Sequence, residues 1–305
     1  MRAALGVIVG ATAAGKSGVA LQVAEALGAE IINADATVLY RGLDIGSAKP
    51  TRAERARVPH HLVDVFDPRE TCSVVEYQRL AHAAIDEVLA RGKRALLVGG
   101  SGLYVRAVRL GYVFPPAPPD ANIRAALEAR DPGELFARLT EVDPKAAART
   151  HRNNVRRVVR ALEVYEQTGR PLSSFEDARA PRYETRTVGL RRDRTELFAR
   201  IDARVDGMIE AGLLDEVRGL LDSGVPRDAP ALRAIGYKEL VPLVLGETDP
   251  QAALAEVRRN TRKLARQQLN SWFRGDDPTI SWVDATLDTA AERANEVLSE
   301  SGESS

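Results

Sequence analysis

Residues 10–17, Gly10-Ala11-Thr12-Ala13-Ala14-Gly15-Lys16-Ser17, carry the Gly-x-x-x-x-Gly-Lys-Ser pattern of a P-loop. The run before them, Ala4-Leu-Gly-Val-Ile-Val9, has the apolar character of a buried strand, and Val19–Leu27 after them repeats apolar residues at helical spacing. Strand, glycine-rich loop and helix are the context that separates this motif from a chance turn. Gly10 and Gly15 permit backbone conformations that turn successive N–H groups toward one anion. A helix beginning near Lys16 adds the positive end of its dipole. Lys16 supplies a mobile cation, and Ser17 a hydroxyl of the kind that ligates Mg²⁺. The loop Gly10–Ser17 therefore reads as a nucleotide- or diphosphate-binding site for a compound with at least two phosphates. It does not say which compound, or what is done with it.

At 305 residues, the chain is long enough for one large domain or two modest ones. Hydrophobic residues at 44% and charged residues at 28% fit an ordinary soluble protein rather than a disordered or membrane chain. The single cysteine, Cys72, excludes an internal disulfide and suits a reducing cytosol, where it reads as a small packed side chain. The apolar start resembles a signal peptide, but the glycines and Lys16 interrupt it too early. No apolar run reaches membrane-span length. The protein is expected in the cytoplasm and, lacking an obvious association stripe, as a monomer.

The formal net charge is zero, yet the charges are not spread evenly. From Arg149 to Arg160, the segment RTHRNNVRRVVR holds five arginines and no acid, with Arg149, Arg152, Arg156 and Arg160 on one helical face. From Arg258 to Arg274 there are six basic residues and again no acid, with Arg258, Arg262 and Arg266 sharing a face. Like charges at this spacing repel, and phosphates would offset that repulsion, so the pattern favours a polyanionic partner. The alternative is a solvated face paired with acids elsewhere in the fold.

Strand patterns at 4–9, 29–33 and 94–98 alternate with helical ones at about 16–28 and 74–91, which predicts an α/β fold: a P-loop NTPase-like parallel sheet with helices on both faces and ligands at the strand C-terminal ends. Pro115-Pro-Ala-Pro-Pro119 breaks the pattern, and a helix-rich stretch follows. The predicted division is a core of residues 1–113 and 188–305, interrupted by a helical insertion at 114–187. Helices are expected at about 195–223 and 250–272, a strand at 280–283, and a disordered tail from Ser299.

P-loop proteins that hold nucleoside triphosphates usually carry an acid at the end of a second buried strand. Here Arg94-Ala-Leu-Leu-Val98 runs into Gly99-Gly100-Ser101, and the carboxylate instead follows the other strand, at Asp35. That leaves an acid near the phosphates, available as a proton acceptor, with the Ser101 hydroxyl at a neighbouring strand end. A cap, a turn or a Mg²⁺ partner are equally compatible roles for Asp35 on spacing alone.

Several further segments carry a resemblance. Asp35-Ala36-Thr37-Val38-Leu-Tyr40, Arg41-Gly-Leu-Asp-Ile-Gly-Ser-Ala-Lys-Pro50, Pro59-His-His-Leu62, Gly99-Gly-Ser-Gly-Leu-Tyr104, Arg156-Arg157-Val158-Val159-Arg160-Ala-Leu-Glu163, Ala234-Ile-Gly236-Tyr237-Lys238-Glu239 and Arg266-Gln-Gln-Leu-Asn-Ser-Trp-Phe-Arg274 occur in the order found in bacterial tRNA dimethylallyltransferases, also called tRNA isopentenyltransferases. From Gly10 to about Asp284 the chain resembles that family. The resemblance implies transfer of a dimethylallyl group from dimethylallyl diphosphate to N6 of the adenosine 3′-adjacent to the anticodon, in tRNAs reading codons that begin with U. It implies Asp35 as general base, with Ser101 and Lys16 as the other catalytic groups. The Gly10–Ser17 loop and Arg204 would hold the diphosphate, with Mg²⁺ on Ser17. The tRNA anticodon stem-loop would be contacted by Asp35, Ala36, Thr37, Val38, Ser101, Arg124, Arg156, Arg157, Val158, Val159, Arg160, Arg233, Gly236, Tyr237 and Lys238. For Tyr237, packing is the alternative. Three residues depart from the family pattern: Ala11 replaces Pro, Ala36 replaces Ser and Val38 replaces Gln, the last two beside the implied base. An adenylate isopentenyltransferase, a small-molecule kinase and a non-catalytic RNA-binding module are the competing assignments. The kinase needs neither the arginine faces nor the Asp35 segment, the basic insert argues against a free nucleotide acceptor, and the binding module leaves Lys16, Ser17 and Asp35 without a role.

Overall fold

The computed structural model describes residues 3–176, 178–273 and 277–299. It divides into two compact units, residues 3–109 with 182–299 and the inserted residues Leu110–Pro181. The insertion thus begins four residues before, and ends six residues before, the limits expected from the sequence, because the returning strand already starts at Glu184.

In the first unit, the chain runs β1 (Ala4–Gly10), α1 (Lys16–Leu27), β2 (Ala29–Asn33), α2 (Arg52–Arg57), β3 (His60–His61), α3 (Val74–Ala90), β4 (Arg94–Gly99) and α4 (Gly102–Arg109). The insertion contains α5 (Ala121–Glu128), α6 (Pro132–Val142), α7 (Pro144–Arg149), α8 (Val155–Thr168) and α9 (Leu172–Glu176). The chain then returns as β5 (Glu184–Arg191), α10 (Arg194–Glu210), α11 (Leu213–Asp222), α12 (Leu240–Val244), α13 (Pro250–Phe273), β6 (Ile280–Asp284) and α14 (Ala290–Ser299). The single helix expected over 195–223 is two helices. Gly212, in the left-handed region at φ 97°, ends one and begins the other, a conformation that glycine alone adopts without strain. Helix α14 was missed by the sequence reading. Of the tail expected to be disordered, all beyond Ser299 lies outside the described residues, as does Arg274.

The six strands form one parallel sheet in the order β3-β2-β4-β1-β5-β6. Alternate residues serve opposite faces, as the two-residue period of a strand requires. Leu5, Val7 and Val9 of β1 pack with Tyr77, Ala81, Ile85 and Val88 of α3 and Val105 and Val108 of α4. Ile8 packs on the other side with Ala20, Val23 and Ala24 of α1 and Ala294 and Leu298 of α14. Burial on both faces is why these strands read as continuous apolar runs.

Register places the site. Val9 pairs with Gly99, and Asn33 with Val98, so Gly10, Gly100 and Asp35 form one row at the C-terminal edge of the sheet. At about 4.8 Å per strand, Asp35 stands about 10 Å from the base of the P-loop, on the far side of the double glycine.

In the inserted unit, Asp120, Asp131, Asp143 and Asn154 cap successive helices through their side chains. Leu127, Leu135, Leu139, Val158, Val159 and Leu162 form its core.

Candidate active site

Local backbone geometry makes the P-loop an anion cradle. Ala13 (φ 62°) and Gly15 (φ 102°) are both left-handed, which turns neighbouring N–H groups to one side just before α1 begins at Lys16. A side chain at Gly10 would press to 2.9 Å from the Leu190 carbonyl oxygen of β5, so a residue larger than glycine does not fit. Lys16 is buried at 9% exposure, and its Nζ donates to the Ala11 carbonyl at 2.9 Å. Burial pushes its pKa down, the Asp35 carboxylate opposes that, and the nearby Arg204 cation adds to it. Arg204, on α10, is likewise lowered by burial and opposed by Asp35. A buried ammonium and a half-buried guanidinium thus stand near one carboxylate. A diphosphate at the loop would supply the missing negative charge.

Asp35 is held by the turn after β4. Its Oδ1 accepts from the Gly100 N–H at 2.9 Å and lies 3.5 Å from Ser101 Oγ, while Oδ2 has no hydrogen-bond partner among the described residues. Ser101 Oγ accepts from the Ala36 N–H at 3.1 Å, which ties the two loops together. The double glycine makes this approach possible: a Cβ on Gly99 would overlap the Ala34 carbonyl. A Cβ on Gly100 would come within 2.7 Å of Gln268 Nε2 and 3.3 Å of Lys16 Nζ.

These groups line a single cavity of about 1570 Å³ in the first unit, which includes Lys16, Ser17, Asp35, Ser101, Arg204, Arg233 and Gly236. That exceeds the roughly 300–1,000 Å³ of an ordinary small-molecule site and leaves room for a second, bulky reactant. Thr12, Ala13, Ala36, Thr37 and Val38 also line it, although Val38 is 5% exposed. Ser17 is exposed at the start of α1. No group of three or more His, Cys, Asp or Glu residues able to hold a metal occurs among the described residues, so a Mg²⁺ here would take Ser17 together with phosphate and water oxygens, a set that suits this ion.

Other expected contacts are corrected. Tyr237 is fully buried and its hydroxyl donates to Glu216 Oε1 at 2.7 Å. Its ring packs so closely on Gly46 that a Cβ there would meet it at 2.6 Å, so Tyr237 belongs to the core and not to a base contact. Lys238 is exposed, 3.5 Å from Glu239, and is not among the cavity residues. In the inserted unit, Val158 and Val159 are core side chains, 1% and 2% exposed. Arg160 and Arg124 both bind Glu163, a fully buried carboxylate, at 2.6 and 2.9 Å. Both arginines are therefore engaged in holding that unit together, while Arg156 and Arg157 are exposed. The second arginine face is also paired: Arg262 Nε donates to Asp202 at 3.0 Å, Arg258 pairs with Asp206, and Arg266 lies over the Phe198 ring at 5.9 Å. Two acids of α10 and the Phe198 ring thus give each arginine of that face a neighbour within the protein.

Three contributors escaped the sequence reading. Arg200, one helical turn before Arg204, donates from Nε to the Ala13 carbonyl at 3.0 Å. Glu216 accepts from the N–H groups of Asp44, Ile45 and Gly46 at 2.8–3.2 Å and so braces a cavity loop. Gln268 bonds to the P-loop and to the turn after β4. Only the i, i+4 spacing of Arg200 and Arg204 offered a local signal.

Comparison with known proteins agrees with this architecture. The family model described as IPP transferase matches residues 38–276, and one described as isopentenyl transferase matches residues 3–64. A tRNA dimethylallyltransferase of Symbiobacterium thermophilum is 49% identical over 304 residues, covering 98% of this chain and 94% of the relative. One from Roseiflexus sp. is 47% identical, covering 88% of each. The crystal structure of the full-length tRNA isopentenylpyrophosphate transferase of Bacillus halodurans superposes with a TM-score of 0.72 at 39% identity, over 98% of this chain and 95% of that one. A eukaryotic dimethylallyltransferase captured acting on tRNA gives a TM-score of 0.83 at 27% identity, over 95% and 77%. With a family match across most of its length and relatives near half-identical over nearly all of it, the chain belongs to the IPP transferase family, that of the tRNA dimethylallyltransferases.

Proposed function

We propose that this protein transfers the dimethylallyl group of dimethylallyl diphosphate to N6 of the adenosine 3′-adjacent to the anticodon, in tRNAs that read codons beginning with U. The products are N6-(dimethylallyl)adenosine and diphosphate. The observation that carries this is one cavity lined by the P-loop with buried Lys16, by half-buried Arg204 and by Asp35.

In this mechanism the donor's diphosphate lies on the N–H groups of Gly10–Ser17, with Lys16 and Arg204 at its oxygens. The amine nitrogen attacks the allylic carbon, the C–O bond breaks, and the bonding pair leaves with the diphosphate. Lys16, Arg204 and the α1 N-terminus stabilise the charge that develops on that leaving group. Mg²⁺, held by Ser17 and the phosphates, would supply further neutralisation of the same charge. The free Oδ2 of Asp35 takes the proton that N6 loses, while Gly100 N–H fixes Oδ1. Adenine must leave the anticodon stack to arrive here, and the cavity is large enough to receive it beside the donor. Ala36 and Val38 present no polar side chain at this point, so recognition of the base there falls to backbone groups and Ser101. Within the insertion, exposed Arg156 and Arg157 are proposed tRNA contacts; within the first unit, the cavity residues Arg233 and Gly236 are.

No described helix is long and apolar enough to cross a membrane. A cytoplasmic location and a monomeric state are part of this proposal.

The test incubates the protein with labelled dimethylallyl diphosphate, Mg²⁺ and either tRNA or AMP. Label should enter tRNA. Label in AMP alone, or none in tRNA, would overturn the assignment.

A further inference from the structure

Gln268 sits half-buried on α13, 256 positions along the chain from the P-loop residue it touches. Its side-chain carbonyl, Oε1, accepts from the Thr12 N–H at 2.8 Å. Its amide nitrogen, Nε2, donates to the Gly100 carbonyl at 3.0 Å. The same Gly100 donates through its own N–H to Asp35 Oδ1 at 2.9 Å. One amide side chain thus closes a continuous path from the donor's phosphate loop, through the double glycine, to the base. A Cβ at position 100 would meet Gln268 Nε2 at 2.7 Å and Lys16 Nζ at 3.3 Å, so a side chain there would have to displace the Gln268 amide.

We propose that Gln268 is a positioning residue for prenyl transfer, holding the P-loop and the Asp35-bearing turn at the separation the reaction needs. The inference rests on the assignment of this cavity as the prenyl-transfer site. The amide is used in both senses at once, as acceptor toward Thr12 and as donor toward Gly100. Glutamate keeps the acceptor and loses the donor, and it adds a negative charge beside the loop that receives a diphosphate. Methionine keeps the length and loses both bonds. Neither change touches the reacting atoms. Displacement of a reacting pair by about 1 Å costs up to about a hundredfold in rate, so loss of the brace is expected in turnover before it is expected in stability.

Gln268→Met and Gln268→Glu would be assayed for label transfer to tRNA beside the wild type, with tRNA affinity, melting midpoint and backbone amide exchange measured on the same samples. For Gln268→Met the expected result is a kcat lower by about 10–100-fold at saturating donor, with tRNA Kd within about twofold. Gln268→Glu should add a rise of about tenfold or more in KM for dimethylallyl diphosphate, since its carboxylate faces the same loop. The Thr12 amide should exchange faster in Gln268→Met than in the wild type. The inference is overturned if Gln268→Met keeps kcat and donor KM within twofold. It is also overturned if both variants lose activity only in step with their melting midpoints, or if the Thr12 amide is unprotected in the wild type. A wild-type protein that places no label in tRNA would instead refute the assignment of the reaction, so the two failures are separable.

Discussion

Replacing Arg160 by glutamine should loosen the inserted unit, whereas the same change at Arg156 should not, although both arginines lie in one basic run. Arg160 Nη1 donates to Glu163 at 2.6 Å and Nη2 to the Ala117 carbonyl at 2.8 Å. The Glu163 side chain is 0% exposed, and it also accepts from the Asp120 N–H at 2.7 Å and from Arg124 at 2.9 Å. Burial alone would raise the Glu163 pKa, but the Arg160, Asp120 and Arg124 hydrogen bonds outweigh it and hold the carboxylate below its ordinary value. Removing one partner of a buried pair costs roughly 3–5 kcal/mol when the remaining charge is stranded. Here Arg124 remains and Arg160 is partly solvated, so about 2–4 kcal/mol is the reasonable range. Arg156 is exposed, and substitutions at such positions stay within about 0.5 kcal/mol. Hydrogen exchange of the α8 amides reads this directly. At about 1.4 kcal/mol per decade, Arg160→Gln should accelerate exchange by roughly 30- to 1,000-fold, and Arg156→Gln by less than about threefold. Arg156→Gln should instead weaken tRNA binding and flatten its dependence on salt. Equal effects on exchange at the two positions would refute the division of the run into a structural and a binding arginine.

Three further outcomes follow from the same geometry. Asp35→Ala should lower kcat by about a hundredfold or more with tRNA affinity retained, and unchanged turnover would remove Asp35 as the base. Tyr237→Phe deletes the hydroxyl bonded to Glu216 and should cost about 1–2 kcal/mol of stability by urea titration while tRNA affinity stays within twofold; a large loss of affinity would return Tyr237 to the binding surface. Asp277 would be raised by burial, yet the Arg109 and Thr279 hydrogen bonds bring it from 3.8 down to about 2. A carboxylate depressed on folding stabilises above its unfolded pKa and ceases to as the pH falls through the folded value. Asp277→Asn should therefore be less stable than the wild type by about 1–2 kcal/mol at pH 7, with the gap closing from about pH 4 toward pH 2. A gap that stayed constant with pH would mean the contribution is not ionic.

The parts of the site visible in the sequence are those whose physics is local. A P-loop is eight consecutive residues whose backbone conformations form the cradle, and the apolar runs of β1, β2 and β4 announce strands buried on both faces. Asp35 was visible for a related reason: it follows its strand at the level of the P-loop, and the neighbouring strand ends in glycines instead of an acid. The arginine faces misled because repulsion along a helix is local while its relief is not. Arg258 and Arg262 find their acids on α10, at Asp206 and Asp202, 52 and 60 residues away. At Arg160 the partner was within reach of the pattern, since Glu163 lies one turn on and on the same side of α8 as buried Val159 and Leu162. A carboxylate on an apolar face demands a cation, so that arginine was already committed.

The same distinction explains why Gln268 could not be read. A glutamine in a basic helix carries no periodic or charge signal, and its meaning lies in the two backbone groups that the sheet register delivers to it from Thr12 and Gly100. Those groups come from loops following adjacent parallel strands, β1 and β4, and their separation is set by strand spacing rather than by either loop. A phosphate loop by itself only grips. In the proposed reaction the base that takes the N6 proton must also stand at a fixed distance from that loop. The double glycine admits the Asp35 loop, the Lys16 ammonium and the Gln268 amide around one backbone carbonyl-and-amide pair. In the proposed mechanism two glycines thus let a carboxylate stand across from the phosphate loop, and any side chain added at position 100 should degrade donor binding and base geometry together rather than separately.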